Sequence, residues 1–323
     1  MKRKRWVWAT GAVLASYLAV CWLAGIWVAE GTLHPGHRPL LPADLEHARA
    51  IARSNSSELS EVTISAVDDA TLRGWSLQPF KSNGQAVLLL HGLSDNRMGM
   101  MGYAEMLLSH GFAVLMPDAR AHGVSGGELA TFGLLESDDI RSWVDWLYAN
   151  VHATCVFGIG ESMGAAQMLQ AAGRESRFCA VVAESPFSTF REIAYDRMGQ
   201  FFHAGPWVGR TLLRPVVEVA FWQARHRYGM NFEQVSPDQA VAVSRIPVLL
   251  VHGQKDGNIP VRHSRTIAAD SPRVKLWEVA GADHCGAIAV APVQFEQQVL
   301  SWFEEHDRLS ASERLIEVTG RIP

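Results

Sequence analysis

A serine flanked by two glycines lies between an apolar run and a run of small residues. Gly160-Glu161-Ser162-Met163-Gly164 follows Cys155–Ile159 and precedes Ala165–Leu169. Gly-x-Ser-x-Gly between a buried strand and a helix is typical of a nucleophile elbow. The turn needs glycine because a Cβ two residues on either side of the serine would clash with the neighbouring strand or helix. We therefore predict that Ser162 is a nucleophile, raised clear of the sheet at the positive end of the following helix.

A serine hydroxyl is a weak nucleophile unless a base takes its proton and a third group orients that base. In a parallel sheet such groups lie on loops at the carboxyl ends of strands. Asp256 follows the run Pro247–Val251, and His284 follows Val274–Val279. The order Ser, Asp, His along the chain is the one expected for this architecture. We predict His284 as the base and Asp256 as its partner, ahead of Asp283, which is adjacent in sequence and points elsewhere. The alternatives are a plain turn carboxylate and a solvated loop histidine.

The loop after Ala86–Leu90 is the third that the chemistry requires. It begins His91-Gly92-Leu93. Two backbone N–H groups that converge on the reacting oxygen stabilise the oxyanion of acyl transfer. We predict that the N–H groups of Leu93 and Met163 form this oxyanion hole, and that His91 and Gly92 shape the loop.

The elements that position these residues are continuous apolar runs. Continuous runs indicate strands covered on both faces, and hence a parallel sheet flanked by helices. We predict helices over Gly102–Ser109 and Ser137–Tyr148. Two antiparallel strands, Val62–Ile64 and Thr71–Leu77, precede the parallel part. The predicted parallel strands are Ala86–Leu90, Ala113–Met116, Cys155–Ile159, Ala180–Ala183, Pro247–Val251 and Val274–Val279.

The spacing of these runs is broken once. About 60 residues separate Ser185 from Ile246, which is too long for a simple connection. We predict a helical cap inserted at about 187–243. Its aromatic residues are expected to pack the cap on its host, with the lining of an acyl pocket as the alternative. They are Phe187, Phe190, Phe201, Phe202, Trp207, Phe221, Trp222 and Phe232.

The N-terminus carries a candidate membrane anchor. Trp6–Ala29 contains no charged residue and is long enough to cross a bilayer. Cleavage of a signal peptide after Ala24 or Ala29 would leave tryptophan three residues before the cut, so we predict an uncleaved anchor. Because Lys2–Arg5 is basic, the N-terminus is predicted to be cytoplasmic. The catalytic domain then lies on the other side, most simply facing the periplasm from a bacterial inner membrane. The predicted boundaries are 1–29 for the basic stub and anchor, 30–60 for a linker and 61–323 for the catalytic domain.

Composition and cysteine spacing exclude other classes. The net charge of −4 gives no reason to expect a nucleic-acid partner. The four cysteines, at 21, 155, 179 and 285, have no metal-like spacing. We therefore predict no metal. Cys155 and Cys179 are expected to be free core residues, with a disulfide between them outside the cytoplasm as the less favoured alternative.

The ordered segments HGLSDNR, PDARAHGVSGG, GESMG, HGQKDGNIP and GADH resemble the α/β-hydrolase superfamily. The resemblance extends in particular to its membrane-anchored, lipase-like branch of bud-emergence and α/β-hydrolase-domain-containing proteins. It covers about Glu61–Glu304. It implies an eight-stranded, mostly parallel sheet, a triad of Ser162, His284 and Asp256, and no cofactor. Ala121 departs from the family, which usually has glycine at this point of its structural loop.

Three functions compete. The first is a serine hydrolase that cleaves esters or acyl lipids through an acyl-enzyme, with a small-molecule ester or lipid-like substrate. The second is a peptidase or amidase of the same fold, which needs a charged pocket for the substrate amine. The third is a membrane-tethered binding protein without catalysis, which a missing triad member would favour. Candidates for the amine pocket are Glu192, Asp196, Glu218 and Glu233.

Overall fold

The computed structural model of the protein describes residues 2–269 and 271–307. The strands are β1 (Ser57–Ser65), β2 (Thr71–Pro79), β3 (Gln85–Leu90), β4 (Ala113–Pro117), β5 (Cys155–Glu161), β6 (Phe178–Glu184), β7 (Val248–Gly253) and β8 (Val274–Val279). The helices are α1 (Lys2–Leu33), α2 (Pro42–Ser54), α3 (Met101–Ser109), α4 (Glu136–Trp146), α5 (Met163–Ala172), α6 (Phe190–Phe201), α7 (Pro206–Arg210), α8 (Arg214–Tyr228), α9 (Pro237–Val243), α10 (Arg262–Ala268), α11 (Ala287–Val290) and α12 (Pro292–Glu305).

The strands form one sheet in the order β1-β2-β4-β3-β5-β6-β7-β8. β1 pairs antiparallel with β2, and β2 antiparallel with β4. The remaining neighbours are parallel. The predicted eight-stranded, mostly parallel sheet flanked by helices is therefore confirmed. Its parallel strands end along one edge, which is where side chains from distant loops can meet.

Helices cover both faces of the sheet, as the continuous apolar runs predict. Along β5, Phe157 faces one apolar cluster and Val156 faces the other. Phe157 stacks on Phe303 of α12 with ring centroids 4.1 Å apart. Trp143 of α4 packs in the opposite cluster. Apolar side chains of the central strands are therefore buried on both faces of the sheet.

The sheet begins earlier than the sequence indicates. α2 occupies part of the predicted linker 30–60, and β1 starts at Ser57 rather than at Val62. The first half of β1 alternates between buried and exposed residues because it lies at the edge of the sheet. Such a short polar alternation carries a weak signal, so the strand is visible from the sequence only where Val62 and Ile64 follow.

The described chain divides into two compact units. The sheet unit contains Gly36–Ser188 and the described residues from Ser236 onward, and so holds the whole sheet. The insertion unit contains the N-terminal residues through Pro35 and Thr189–Val235. Its α1 includes a 30-residue stretch, Lys4–Leu33, that is long and apolar enough to cross a membrane, a property that signal sequences share.

The two strand-borne cysteines form a disulfide. Cys155 begins β5 and Cys179 lies in β6, with their Cα atoms 6.0 Å apart and their sulfurs bonded. The prediction of two free cysteines is therefore wrong. The register of β5 against β6 brings both residues to the same face of neighbouring strands, and a spacing of 24 residues along the chain does not reveal that register.

Candidate active site

Ser162 occupies a strained turn between β5 and α5. Its backbone has φ 52° and ψ −113°, in the left-handed half of the conformational map that side chains rarely adopt. Its N–H donates to the carbonyl of Glu184 at 2.9 Å. A Cβ at Gly160 would lie 2.4 Å from the carbonyl oxygen of Gly164, and one at Gly164 would lie 2.3 Å from that of Leu90. Both glycines are therefore required by close backbone contacts, as predicted.

Gly164→Ala tests this requirement. We expect the free energy of unfolding to fall by about 3 kcal/mol, because backbone atoms of β3 must move to admit the new methyl group. Gly102→Ala in α3 is the matched control, since a Cβ there would meet no atom within 4 Å. The control should stabilise by up to about 1 kcal/mol through helix propensity. Chemical denaturation of both variants measures the difference, and equal stabilities would contradict the packing argument.

The structure brings the three predicted side chains of the site together. The Nε2 atom of His284 lies 2.9 Å from the Ser162 hydroxyl oxygen. The Nδ1 atom of the same ring lies 2.8 Å from Oδ2 of Asp256. This hydrogen-bonded series lets the imidazole accept the hydroxyl proton while the carboxylate holds the Nδ1–H tautomer.

Asp256 is held by four donors. Its Oδ1 atom accepts the N–H groups of Asn258 at 2.9 Å and Ile259 at 2.8 Å. Its Oδ2 atom faces His284 and also His252, whose Nε2 atom is 3.3 Å away. Burial alone would raise the pKa of Asp256, but the hydrogen bonds from His252, His284 and the Ile259 backbone outweigh it and hold the pKa well below its usual range. The carboxylate is therefore ionised at neutral pH.

Asp283 does not face the imidazole ring. Its Oδ1 atom accepts the backbone N–H groups of His284 at 2.8 Å and Gly257 at 3.2 Å. These two bonds tie the loop that carries His284 to the loop that carries Asp256. The sequence argument that preferred Asp256 over its neighbour as the partner of His284 agrees with this geometry.

The loop that carries Leu93 passes directly beside Ser162. A Cβ at Gly92 would lie 3.5 Å from Cβ of Ser162. Buried His91 shapes this loop, since its Nδ1–H donates to the carbonyl of Gly92 at 2.8 Å and its Nε2 accepts the N–H of Ala119 at 3.0 Å. Burial lowers the pKa of His91 to about 4, so the ring is neutral in both bonds at neutral pH. Among the hydrogen bonds of residues 2–269 and 271–307, none uses the N–H of Leu93.

Met163 lies at the first position of α5 and is buried. The first N–H groups of a helix have no partner within the helix. No hydrogen bond in the described part of the chain uses the N–H of Met163 either. Both predicted oxyanion donors are thus backbone N–H groups that make no hydrogen bond within the described residues.

Two buried residues that the sequence analysis did not single out support the site. Glu184, at the end of β6, accepts the N–H of Ala287 at 2.9 Å and the hydroxyl of Tyr103 at 2.7 Å, and so braces the segment after His284. His252, at the end of β7, donates through Nε2 to the carbonyl of Ile259 at 2.8 Å. The sequence contains a signal for both residues, because Glu184 and His252 are polar residues at the carboxyl ends of apolar runs.

Glu161, adjacent to Ser162 in the sequence, is a further titratable group. The Tyr103 hydroxyl lies 3.4 Å from its Oε2 atom and also binds Glu184. Burial, reinforced by the negative charges of Glu184 and Asp95, raises the pKa of Glu161 to about 8. The folded protein therefore prefers the neutral carboxyl, whereas the unfolded chain ionises with a pKa near 4.5.

This raised pKa predicts a pH dependence of stability. The contribution of neutral Glu161 is fully present below about pH 4.5 and is lost as pH rises through about 8. Glu161→Gln stays neutral at every pH. We therefore expect wild type to lose on the order of 3–5 kcal/mol relative to this variant between pH 4.5 and pH 8. Urea denaturation of both proteins across this range measures the loss. Exposed Glu128→Gln is the control, and parallel curves for wild type and Glu161→Gln would refute the prediction.

The sequence of this protein is similar to the sequences of known bacterial proteins. The protein is 30% identical over 193 residues to YqkD of Bacillus subtilis, a match that covers 59% of this chain and 61% of YqkD. It is 27% identical over 238 residues to YfhR of Escherichia coli K12, covering 71% and 74%. The matched segment thus spans less than two thirds of YqkD and about three quarters of YfhR.

Solved structures share the fold. The Pyrococcus furiosus esterase Pf2001 superposes with a TM-score of 0.66 at 24% identity, over 85% of this chain and 98% of the esterase. The acylaminoacyl peptidase of Pyrococcus horikoshii superposes with a TM-score of 0.57 at 18% identity, over 78% of this chain and 42% of the peptidase. At these identities the likeness shows the fold alone. Residues 87–298 match the Alpha/beta hydrolase family. The sheet order, the elbow and this match over most of the chain lead to one conclusion: the chain belongs to the α/β-hydrolase family.

Proposed function

We propose that the protein is a serine hydrolase that cleaves carboxylic esters of small or lipid-like substrates. Ser162 attacks the ester carbonyl carbon while its proton passes to Nε2 of His284. The N–H groups of Leu93 and Met163 hold the oxyanion. The imidazolium then protonates the departing alcohol, which leaves an acyl group on Ser162. Water, deprotonated by His284, attacks the acyl-enzyme, and the returning proton frees Ser162 and the carboxylic acid.

One observation carries this proposal. The imidazole of His284 is hydrogen bonded at 2.9 Å to the Ser162 hydroxyl on one side and at 2.8 Å to the Asp256 carboxylate on the other. Residues from three loops meet in this order although 122 positions separate Ser162 from His284. A nucleophile, a base and an orienting carboxylate within hydrogen-bond distance satisfy the geometric requirement for nucleophilic catalysis.

Ester cleavage is favoured over aminopeptidase activity by the carboxylates of the insertion. An aminopeptidase needs an acidic side chain free to bind the substrate amine. Glu218 is bound by Arg191 at 2.7 Å and by Arg214 at 3.2 Å. Glu233 is also bound by Arg191, and Glu192 by Arg210.

Asp196 is buried, with its Oδ1 atom 3.9 Å from Arg210. Each of the four candidate carboxylates therefore already has an arginine nearby. This arrangement supports neutral esters, rather than substrates with a free amine, as the class to be hydrolysed.

We also propose that α1 is a membrane anchor that places the sheet unit on the non-cytoplasmic side. Two features support this placement. The basic residues of the chain's N-terminus precede the apolar helix, which favours a cytoplasmic N-terminus. The disulfide between Cys155 and Cys179 is of a kind that persists in oxidising compartments.

A fluorophosphonate probe tests the proposed nucleophile. Wild type is expected to be labelled stoichiometrically, and Ser162→Ala to remain unlabelled, because the probe phosphonylates an activated serine. Exposed Ser109→Ala in α3 is the matched control and should label like wild type. Labelling that survives Ser162→Ala would overturn the assignment.

Substrate class is tested by turnover. We expect aryl esters of increasing acyl length to be hydrolysed at least 100-fold faster, in kcat/KM, than aminoacyl anilides. The reverse order would favour the peptidase. Absence of turnover on both, with full biological activity retained by Ser162→Ala, would favour the binding protein.

A further inference from the structure

One face of α1 packs against the helical insertion, residues 189–235. Its buried residues recur every fourth position, which places them in one stripe along the helix. At Gly25 a Cβ would lie 2.5 Å from Cβ of Val219, so the backbones of α1 and α8 are in close contact. The buried stripe of α1 consists of Cys21, Gly25, Ala29 and Leu33.

Polar contacts mark both ends of this helix pair. Near the start, the hydroxyl of Tyr17 donates to the carbonyl of Leu212. At the far end, the carboxylate of Glu30 accepts Gln223 at 3.1 Å and the hydroxyl of Tyr228. α8 therefore runs beside α1 from the level of Tyr17 to that of Glu30. Cleavage of α1 as a signal sequence would remove half of this packed pair.

The part of α1 that is free of the insertion is too short to cross a bilayer. Residues 4–16 are all exposed. These thirteen residues span only about 20 Å at 1.5 Å per residue, whereas the hydrocarbon core is about 30 Å thick. The remaining ~10 Å falls on the segment of α1 that contacts α8. The outer face of that segment is still apolar, since Val20 is 65% exposed and Leu23 is 68% exposed.

The insertion presents its own apolar residues where this segment begins. Trp207 is 66% exposed and Leu212, at the level of Tyr17, is 58% exposed. Phe201, the last residue of α6, and Phe202 after it are exposed. The end of α6 contacts the start of α7, because a Cβ at Gly199 of α6 would lie 2.7 Å from the carbonyl oxygen of Gly205, just before α7. We call these four residues the insertion patch: Phe201, Phe202, Trp207 and Leu212.

From this geometry we infer that the insertion patch is a bilayer-docking surface that enters the outer leaflet of the membrane crossed by α1. The inference rests on the proposed role of α1 as an anchor. Apolar and aromatic side chains at this depth replace contact with water by contact with lipid. The insertion is therefore embedded beside its anchor rather than tethered above the membrane by a free helix.

Depth-dependent quenching tests this inference on the full chain in phosphatidylcholine vesicles. Single cysteines for an NBD fluorophore are introduced by Val13→Cys, Phe202→Cys, Trp207→Cys and Arg225→Cys, after Cys21→Ala and Cys285→Ala. Arg225 lies in the last turn of α8, level with Glu30. That level is about 36 Å beyond Trp6 along α1 and so lies outside the hydrocarbon core. The vesicles carry doxyl-labelled phosphatidylcholine as quencher. Unchanged thermal midpoints identify the variants that remain folded.

The inference predicts at least twofold stronger quenching by doxyl lipid at positions 202 and 207 than at 225, with strong quenching by deep doxyl lipid at 13. Quenching at 13, combined with values at 202 and 207 no greater than at 225, would overturn the docking surface and leave the anchor intact. A lack of quenching at 13 would overturn the anchor as well. Fluorophosphonate labelling of Ser162, measured separately, is independent of both results.

Discussion

Replacing His284 with alanine is expected to lower kcat by about 10⁶-fold, because no other group then takes the proton of Ser162 during attack. The Nε2 atom of this ring is the one placed 2.9 Å from the hydroxyl oxygen. Stability should change little, since the ring is partly exposed. Ester hydrolysis under saturating substrate, with active sites counted by mass, measures the effect.

His110→Ala is the matched control for this prediction. His110 is exposed and pairs with Glu296 on the surface of the sheet unit. The control should retain wild-type turnover, and fluorophosphonate labelling of His284→Ala should slow in proportion to kcat. A loss below about 10-fold for His284→Ala would mean that another base serves Ser162, and the proposed mechanism would fail.

Replacing Asp256 with asparagine is expected to lower kcat by about 10⁴-fold, through the tautomer of the imidazole rather than through lost packing. In the wild type, Oδ1 of Asp256 accepts two backbone N–H groups, from Asn258 and Ile259. In the variant, the amide oxygen of the asparagine must take the place of Oδ1, so the amide NH₂ faces Nδ1 of His284. The ring then carries its proton on Nε2 and cannot accept the proton of Ser162.

Asp283→Asn is the control that separates this effect from a general loss of charge in the loop. Asp283 accepts only backbone N–H groups in the described contacts, so its replacement should reduce kcat less than 10-fold. KM should stay near the wild-type value in both variants. Equal losses in the two variants would show that the carboxylate of Asp256 acts through loop structure and not through the imidazole.

Much of the fold can be read from the sequence because its signals are local. Each buried strand is a continuous apolar run, and the elbow has glycines at 160 and 164 where backbone contacts allow no side chain. The start of β1 at Ser57 is missed because an edge strand alternates with little apolar content. The disulfide between Cys155 and Cys179 is missed because it depends on strand register.

The aromatic residues of the insertion also show what the sequence can and cannot predict. Their number predicts that some of them pack against each other, and Phe190 does stack on Phe232 with ring centroids 4.5 Å apart. Their sequence does not distinguish these buried rings from Trp207 and Phe202, which are exposed. The inward or outward direction of each ring depends on how α6, α7 and α8 pack, which is a property of the folded unit.

By itself the sequence determined the type and order of the groups that could act: a serine in a tight turn, then an aspartate, then a histidine, each after an apolar run. It did so because strand burial and glycine sterics act over a few neighbouring residues. Only the tertiary structure decided that His284 lies between Ser162 and Asp256, that His252 also faces Asp256, and that Glu184 braces the loop. The hydrogen bonds that join His284 to Ser162 and Ala287 to Glu184 span 122 and 103 positions, and they depend on sheet order and register, which no local pattern encodes.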